Sequence, residues 1–414
     1  MKRLIKISAI VLLLFLMYTP SNACTTAVIS GKYTKNGRPM LWKNRDTWYI
    51  NNILKYYDDG KYSYVGLVNS KDLNRTSIWI GVNSVGFAIM NSASYNLNLN
   101  SEAKLTGLEG MTMKDALASC RTLSDFEAFL DAIPKPSGLE ANFGVIDAEG
   151  GAAYYEFNHE GYVKFDVNDP KVAPFGYIIR TNYSHTGKLG KESGGYIRYN
   201  TANELFYEKA SVDGLTAQYI QQDVAKSLRH SLIKKDLFQE YGHLNPGQTQ
   251  YAHFRDFIPR SGSSSSVVVE GVKVGEDVSL ATMWSNVGFP LTSIIIPTWV
   301  NKTPLPEIVQ YNEDLLDSPI CNAALKLKNE KVMNVRWGKA EWYYLNVNAL
   351  SNNKGTGITQ VLKEHENEIY KKTYQQLDDW YADGKVNTKD LKAYYQWINA
   401  YVKEVYSKEF NIKL

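Results

Sequence analysis

The sequence predicts an α+β fold in which sheets and helices stack in layers. Segments typical of strands come first, helical segments follow, and the same succession of strands and then helices occurs a second time. This order favours stacked sheets over a doubly wound sheet, in which strands and helices alternate one by one. Near the end of the chain, apolar residues recur at spacings of three and four and predict an amphipathic helix: Leu391, Tyr394, Ile398, Tyr401 and Val405.

A hairpin opens the predicted sheet. Residues 25–30 alternate and are rich in β-branched side chains, residues 35–37 (Lys-Asn-Gly) are a turn signal, and residues 40–42 return as the second strand. We expect further strands of the same sheet at 62–68, 77–81 and 86–92.

Helices are predicted at 113–119 and 123–133, with Ser124 and Glu127 forming a capping box at the start of the second. Further helices are expected at 197–210 and 217–228, and the chain turns helical again after residue 351.

The first 23 residues have the pattern of a signal peptide. A basic start precedes an apolar run at 7–17 that is too short to span a bilayer. Ser21 and Ala23 then place small residues at the −3 and −1 positions of a cleavage after Ala23. We therefore expect a signal peptide over residues 1–23 and an exported protein, periplasmic or secreted, without a transmembrane anchor.

Cleavage after Ala23 would leave Cys24 with a free α-amine, and three interpretations of this cysteine are open. The first is an ordinary cysteine near a cleavage site. The second is a lipoprotein acylated at Cys24, although Ser21 stands where a lipobox usually has Leu. The third is an N-terminal nucleophile whose own amine serves as the base. The residues that follow the cysteine favour the third interpretation.

Composition argues against several classes of function. The chain has 414 residues and a formal net charge of +3, which gives no indication of nucleic-acid binding. Its six histidines are scattered and form no zinc-binding motif, so we expect neither a metal nor another cofactor. Cys120 and Cys321 stand in apolar, helix-like contexts and are expected to be free thiols, although the sequence alone leaves a disulfide between them open.

Attack on an amide carbonyl needs a base for the thiol and donors for the oxyanion. A free α-amine, with a pKa of about 7.7–8.0, is a usable base near neutral pH. The predicted hairpin returns Lys43, Arg45 and Asp46 beside Cys24. A cation there would favour the thiolate, and the carboxylate could orient the amine or the thiol. Because neighbours on a strand face opposite sides, Asp46 would need a local bend to reach the face that Lys43 and Arg45 share.

The stretch CTT…GRPMLWKNRDT at 24–47 resembles the opening of the N-terminal-nucleophile (Ntn) amidases that cleave linear C–N amide bonds. These include penicillin V acylase, choloylglycine (bile salt) hydrolase, isopenicillin N acyltransferase and a dipeptidase branch. Three further stretches resemble family motifs in the family's order: GVNSVGFAIMN, GYIIRTNYS and GGYIRYNTA.

The resemblance covers residues 24–300 and implies a four-layer αββα Ntn sandwich. It places an Ntn amidase domain at 24–350, and we expect residues 351–414 to form an extra helical segment packed on that domain. From about residue 305 onward the chain resembles nothing in the family.

Site roles follow from the resemblance residue by residue. Cys24 would be the nucleophile and, through its amine, the base. Asp46 matches the orienting aspartate, Asn182 the asparagine of the oxyanion hole, and Arg198 the arginine near the thiol.

The chain departs from the family at the arginine of the first motif. The spacing to Asp46 puts Lys43 at that position, while Arg45 is one residue from Asp46, so the active-site cation stays open between the two. Asn91 stands two residues short of the family's second asparagine and is a candidate for substrate contact.

The implied function is that of an exported N-terminal-cysteine amidase, which hydrolyses a small-molecule N-acyl substrate through a thioester without a cofactor. A dipeptidase or an acyltransferase is the nearest enzymatic alternative, and a ligand-binding surface lipoprotein acylated at Cys24 is the alternative outside the enzymes. Trp48 and Tyr95 lie in apolar loop segments and are candidates for holding the acyl group. The acyl and amine groups of the substrate and the oligomeric state, including a homo-oligomer, stay open.

Overall fold

A computed structural model describes residues 23–414 apart from 73, 75, 99–101, 189 and 191–193. The predicted signal peptide therefore lies outside the described residues, except for Ala23. The strands are β1 (Ala23–Ile29), β2 (Met40–Asp46), β3 (Asn52–Tyr57), β4 (Tyr64–Asn69), β5 (Ile80–Asn83), β6 (Ala88–Ala93), β7 (Ala141–Ile146), β8 (Ala152–Phe157), β9 (Tyr162–Asp166), β10 (Tyr177–Arg180), β11 (Arg229–His230), β12 (Lys235–Asp236), β13 (Tyr251–His253), β14 (Ser263–Glu270), β15 (Thr282–Val287), β16 (Ile295–Thr298) and β17 (Tyr344–Asn346).

The α-helices are α1 (Glu109–Ser119), α2 (Leu123–Asp131), α3 (Tyr196–Ala210), α4 (Ala217–Tyr219), α5 (Leu237–Tyr241), α6 (Pro319–Leu327), α7 (Val347–Leu350), α8 (Ile358–Asp383) and α9 (Thr388–Phe410). Two π-helical turns extend α4 and α6, at Ile220–Val224 and Lys328–Val332. Short 3₁₀ turns occur at Gly31–Tyr33, Val278–Leu280, Pro290–Thr292, Glu307–Val309 and Ala340–Trp342.

Two antiparallel sheets form the centre of the molecule. The first has six strands in the order β10-β1-β2-β14-β15-β16, and the second is a seven-stranded meander from β3 to β9. The sheets pack face to face and approach closely at Gly144 in β7, where a Cβ would come within 2.8 Å of Val28 Cγ2 in β1. A larger residue there would push the sheets apart.

Helices cover the outer face of each sheet. Buried residues of α1 and α2, such as Met113 and Phe126, join the core of the seven-stranded sheet. Against the six-stranded sheet pack α3, α4 with its π-helical extension, and α8. The fold is thus α+β with the layer order helix, sheet, sheet, helix, as the sequence predicts. Within the described residues we find no helix with the length and apolar character that crossing a membrane requires.

Two local predictions are wrong. The strands expected at 62–68, 77–81 and 86–92 lie in the second sheet, because the chain crosses from β2 into β3 rather than extending the first sheet. The capping box of α2 is formed by Thr122 and Asp125, two residues earlier than predicted.

Ser124 and Glu127, which were expected to form the capping box, both lie within the helix. Glu127 accepts hydrogen bonds from Tyr155 and Lys164 across the sheet instead of reaching back to the helix start. The sequence pattern of a hydroxyl residue followed three residues later by an acid thus predicted the helix correctly but not its first residue. The reason is that tertiary contacts with Tyr155 and Lys164 compete for the Glu127 carboxylate.

The C-terminal helices α8 and α9 are joined to the sheet by a buried polar network. Glu366 of α8 is fully buried, and its carboxylate accepts hydrogen bonds from Lys226 at 2.7 Å, Asn286 at 3.1 Å and the Ile295 backbone N–H at 3.0 Å. Aromatic side chains pack around this network, with Trp284 of β15 4.7 Å from the Tyr370 ring. The helical segment therefore continues the core instead of lying loosely on it.

We predict that Glu366→Ala lowers the free energy of unfolding by about 3–5 kcal/mol, because it leaves the Lys226 ammonium buried without its partner. Asp223→Ala is the matched control on the same helix pair. It breaks the ion pair between Asp223 and Lys363, whose side chains are 43% and 44% exposed, respectively. Because this pair is exposed to solvent, its loss should change the free energy of unfolding by less than about 1 kcal/mol. Chemical denaturation measures both variants, and equal losses would contradict the role given to Glu366.

Candidate active site

Cys24 lies near the start of β1, between β2 and β10. In the antiparallel register Cys24 is opposite Arg45, and Ala23 is opposite Asp46. The hairpin thus brings the charged residues of β2 beside Cys24, as the turn signal at 35–37 predicts. The cysteine is buried, with an exposure of 7%.

Side chains of β2 alternate between two environments. Lys43 and Arg45 lie on the same face as Cys24, which looks into the space between the two sheets. Asp46 and Asn44 lie on the other face, where Asn44 donates to the Ile258 carbonyl and Arg198 of α3 is close enough to act on the Asp46 carboxyl. The bend that would carry Asp46 to the thiol side is absent from β2, whose pairing with β1 is regular through Asp46.

The inner face holds two buried cations. Lys43 donates to both the backbone oxygen and Oδ1 of Asn91, at 2.6 and 2.7 Å. Arg45 donates to Asn52 and Asn69 at 2.5 and 2.8 Å. Burial lowers the pKa of Lys43 to about 8 and that of Arg45 to about 9, while the nearby Cys24 opposes both shifts. Both cations therefore act electrostatically on the thiol.

The outer face holds the acid. Asp46 is buried, and desolvation raises the pKa of its carboxyl, while Arg260 and Arg198 oppose that shift. Its Oδ1 accepts hydrogen bonds from Ser263 at 2.5 Å and Asn44 at 3.2 Å. Because Asp46 is opposite residue 23 in the pairing, its carboxyl lies near the backbone at the Ala23–Cys24 junction rather than beside the thiol.

Asn182 and Arg198 meet at the backbone of Cys24. The N–H of Cys24 donates to Asn182 Oδ1 at 2.8 Å, and Arg198 donates to the same oxygen at 2.8 Å. A second nitrogen of Arg198 donates to the carbonyl oxygen of Cys24 at 2.6 Å and to Thr25 at 2.8 Å. One N–H of the Asn182 amide donates to the Ala93 carbonyl at 3.0 Å, which leaves the other N–H for a ligand.

Local geometry places this pair. Asn182 follows β10 and is bridged to Gly194 by a backbone hydrogen bond at 3.0 Å. Gly195, the N-cap of α3, has φ = 88°, and a Cβ there would come within 2.8 Å of Thr181 Cβ. Only glycine allows this close approach and this backbone conformation, and both are needed for α3 to aim Arg198 at Cys24.

The other predicted site residues lie around this centre. Tyr95 is partly buried. The pKa of its hydroxyl is raised mainly by desolvation and to a smaller extent by the nearby Cys24. Trp48 is 46% exposed and packs against Trp342 with ring centroids 5.3 Å apart. Asn91 is buried and is engaged by Lys43, so its Oδ1 supports the cation instead of standing open.

His185 is poorly suited to act as a base at neutral pH. His185, three residues past Asn182, lies in a ring cluster with Tyr183 and Tyr199. Burial and Arg180 lower the pKa of its imidazole to about 4. These rings line a cavity of about 1200 Å³ beside α3, and Cys24 is not among the residues that line it.

Sequence reasoning missed the residues that support the site from a distance. Ser263 and Arg260 contact Asp46, and Asn52 and Asn69 hold Arg45. The run of four serines at 263–266 before an apolar strand segment was the one signal available, since buried hydroxyls need partners.

The three cysteines are free and buried, so Cys120 and Cys321 do not pair in this structure. Burial raises the pKa of the Cys120 thiol to about 11, and it also raises that of Cys321. Across the described part of the chain, His, Cys, Asp and Glu side chains form no group that could hold a metal ion.

No protein-family profile matches the sequence, and no curated protein matches it significantly. Among solved structures, the chain is similar to a variant of conjugated bile acid hydrolase from Clostridium perfringens, with 14% identity and a TM-score of 0.39, over 68% of this chain and 94% of that one. It is also similar to penicillin V acylase from Agrobacterium tumefaciens, with 13% identity and a TM-score of 0.33, over 68% and 87%.

The arrangement supplies the parts of nucleophilic acyl transfer. It has a thiol beside two cations, a backbone nitrogen held by an asparagine oxygen, a spare amide N–H, and a buried acid on the far side of the strand. With the Ala23–Cys24 bond intact, as in this structure, the nitrogen is an amide and cannot act as a base. Removal of residue 23 would make it an amine.

We predict that Lys43→Met slows alkylation of the Cys24 thiol by iodoacetamide about tenfold at pH 7, because losing a cation on the face of the thiol disfavours the thiolate, which is the form that reacts. The difference from the wild type should shrink above pH 8, where Lys43 loses its charge. Lys43→Arg is the control and should keep the wild-type rate at pH 7. A slow Arg45→Met variant beside an unaffected Lys43→Met variant would assign the role to Arg45 instead.

Proposed function

We propose that this chain is an exported N-terminal-cysteine amidase that hydrolyses a linear C–N amide bond of a small N-acyl substrate through a thioester. The hydrogen bond from the Cys24 backbone nitrogen to Asn182 Oδ1, at 2.8 Å, carries this proposal. It holds the atom that becomes the α-amine in a fixed position beside the thiol of the same residue.

In the first half-reaction the free α-amine takes the thiol proton, and the thiolate attacks the substrate carbonyl carbon. The C–S bond forms and the carbonyl oxygen becomes an oxyanion, which the free N–H of Asn182 can stabilise. The ammonium then gives its proton to the leaving nitrogen as the C–N bond breaks. An amine departs, and the acyl group stays on Cys24 as a thioester.

In the second half-reaction water replaces the amine. The α-amine takes a proton from the water, the hydroxide oxygen attacks the thioester carbonyl, and a second tetrahedral intermediate uses the same donor. The C–S bond breaks, the thiolate regains the proton, and a carboxylic acid leaves. Each turnover thus consumes one water and returns Cys24 to its starting state.

The side chains around Cys24 support the amine as the base. Among the described residues, His185 is the histidine nearest in sequence to Asn182, and its pKa of about 4 makes it a weak base at neutral pH. Lys43 and Arg45 have their protons directed at asparagine oxygens. An α-amine with an unperturbed pKa of about 7.7–8.0 fits the task better.

Arg198 and Asp46 complete the proposed roles. Arg198 fixes both Asn182 Oδ1 and the Cys24 carbonyl, so it positions the backbone of the nucleophile from two sides. Asp46 would lie beside the new ammonium once residue 23 is gone, and its charge would favour the protonated form during attack. Tyr95 and Trp48 are proposed to border the acyl group, because one lies close enough to Cys24 to sense its charge and the other is an exposed aromatic two residues past Asp46.

A dipeptidase or an acyltransferase would use the same centre with another acceptor or acyl donor. A surface lipoprotein acylated at Cys24 would block the amine and the thiol and could not run this chemistry. The mass of the mature N-terminus separates these classes, since the enzyme needs an unmodified Cys24. Activity toward N-acyl amino acids, bile conjugates, penicillin V and dipeptides then separates the substrates.

The proposal is tested with two forms of the exported chain, one beginning at Cys24 and one retaining Ala23, each verified by mass. We expect the longer form to lose more than about 10³ in kcat/KM, a loss at the scale of removing general-base catalysis. The structure already accommodates Ala23 as a regular residue of β1, so the two forms should unfold at the same temperature. The loss would then be chemical and not a misfolding effect.

Cys24→Ala in the mature form is the control for background hydrolysis and should be inactive while still folded. Equal kcat/KM for the Ala23-retaining and mature forms would show that the α-amine does no chemistry. A fully active Cys24→Ala variant would remove the nucleophile from the account altogether.

A further inference from the structure

The loop of residues 260–263, immediately before and at the start of β14, encloses the Asp46 carboxylate. Ser263 donates its hydroxyl to Asp46 Oδ1 at 2.5 Å, and the same hydroxyl accepts the backbone N–H of Arg260 at 2.7 Å. The guanidinium of Arg260 reaches back to Asp46 Oδ2 at 4.0 Å. One short loop thus contacts both carboxylate oxygens, and the two contacts are tied together through Ser263.

The loop is also fixed to β2. The N–H of Thr47 donates to the Gly262 carbonyl at 2.8 Å, and the Ser263 N–H closes a turn onto the Arg260 carbonyl at 2.9 Å. Between Ser263 and Ser265 the pairing of β14 with β2 shifts by one residue. This bulge lets the loop curl over the end of β2 and bring Arg260 to the acid.

Arg260 stands between the acid and the solvent. Its side chain is 27% exposed, whereas that of Asp46 is 4% exposed. Apart from the ion pair with Asp46, its guanidinium has no hydrogen-bond partner among the described residues, and the Oδ2 that it faces has none either. The contact is thus electrostatic, and it pairs the Arg260 charge with a carboxylate oxygen that has no hydrogen bond of its own among the described residues.

Cations from β2, from α3 and from the loop bear on Asp46. Lys43 and Arg45 come from its own strand, Arg198 from α3, and Arg260 from the loop, while Cys24 faces them from β1. Of the cations, Arg260 opposes the raised pKa of Asp46 most strongly, and it also lowers that of Arg198. Lys43, Arg45 and Arg198 have hydrogen-bond partners of their own at Asn91, Asn69 and Asn182.

We propose that Arg260 is a positioning residue, which holds the Asp46 carboxylate in place beside the Cys24 α-amine and, through its own charge, sets the proton balance of the amine and thiol. This inference rests on the proposed function for its consequence in turnover, but its effect on the cysteine does not need turnover. Arg260 acts through Asp46 and through its charge. It does not contact the reacting atoms.

The test uses the mature chain and measures the pH dependence of Cys24 alkylation by iodoacetamide, followed by mass of the N-terminal peptide. Arg260→Gln removes a cation near the site, so the alkylation profile should move to higher pH, with a rate at pH 6.5 lower by about threefold to tenfold. Arg260→Lys should restore most of the wild-type profile. Arg255→Gln removes an equal charge five residues away, on a side chain 55% exposed, and should leave the profile unchanged.

A shift in Arg260→Gln that Arg260→Lys reverses supports the proposal. An unshifted profile overturns it, and so does an equal shift in Arg255→Gln, which would mean that only net charge matters. Arg260→Met keeps much of the side-chain length and must give the same shift if Arg260→Gln fails to fold.

Turnover gives the second readout. On a hydrolysed substrate, the acid limb of kcat/KM should move to higher pH by the same amount, with kcat at pH 9 retained. A higher KM at every pH with an unshifted alkylation profile would make Arg260 a substrate-binding residue and overturn the positioning role. If the wild type hydrolyses no amide but its alkylation profile still depends on Arg260, the proposed function fails while this inference stands.

Discussion

The hydrogen bond between the Cys24 backbone nitrogen and Asn182 Oδ1 is the contact on which the rest of the site depends. It links β1 to Asn182, which lies just after β10, and Arg198 donates a second hydrogen bond to the same Asn182 oxygen. A buried oxygen that accepts from two donors has a fixed orientation, since rotating the amide would turn an N–H toward the guanidinium. The orientation of the second N–H of the Asn182 amide is therefore fixed as well.

Strand alternation divides the site into two compartments that share one backbone nitrogen. The thiol shares the inner face with Lys43 and Arg45, and Asp46 lies on the outer face near Arg198 and Arg260. A side-chain base would have to stand on one face only. The backbone nitrogen of Cys24 lies in the strand itself and can interact with both, which is why an α-amine suits this geometry. Asp46 would then influence the protonation of the α-amine, and Lys43 and Arg45 would influence the protonation of the thiol.

Contacts between residues close in sequence could be predicted from the sequence, whereas contacts between residues far apart in sequence could not. The hairpin that places β2 beside Cys24 was predictable, because a strong turn signal separates two short strands. Arg198 and Asn182 could be named from motifs, but their meeting at one oxygen depends on β10 pairing with β1, more than 150 residues from Cys24. The serine run at 263–266 indicates buried hydroxyls, but neither Ser263 nor Arg260 could be assigned to Asp46 from it, since both reach Asp46 through a strand pairing and a bulge that leave no local pattern. The same limit explains why strands β4 to β6 were assigned to the wrong sheet: alternation shows a half-buried strand but not which sheet buries it.

The central claim is that the α-amine of Cys24 is the base, and the titration of that amine tests it most directly. With cysteine labelled by ¹⁵N, the mature chain has one labelled amine, because Cys120 and Cys321 carry only amide nitrogens. The ¹⁵N shift of the amine and the acid limb of kcat/KM are measured over the same pH range. We expect the two to give the same pKa, near neutral pH. Midpoints that differ by about two units or more would contradict it, because the group that limits turnover would then be another residue.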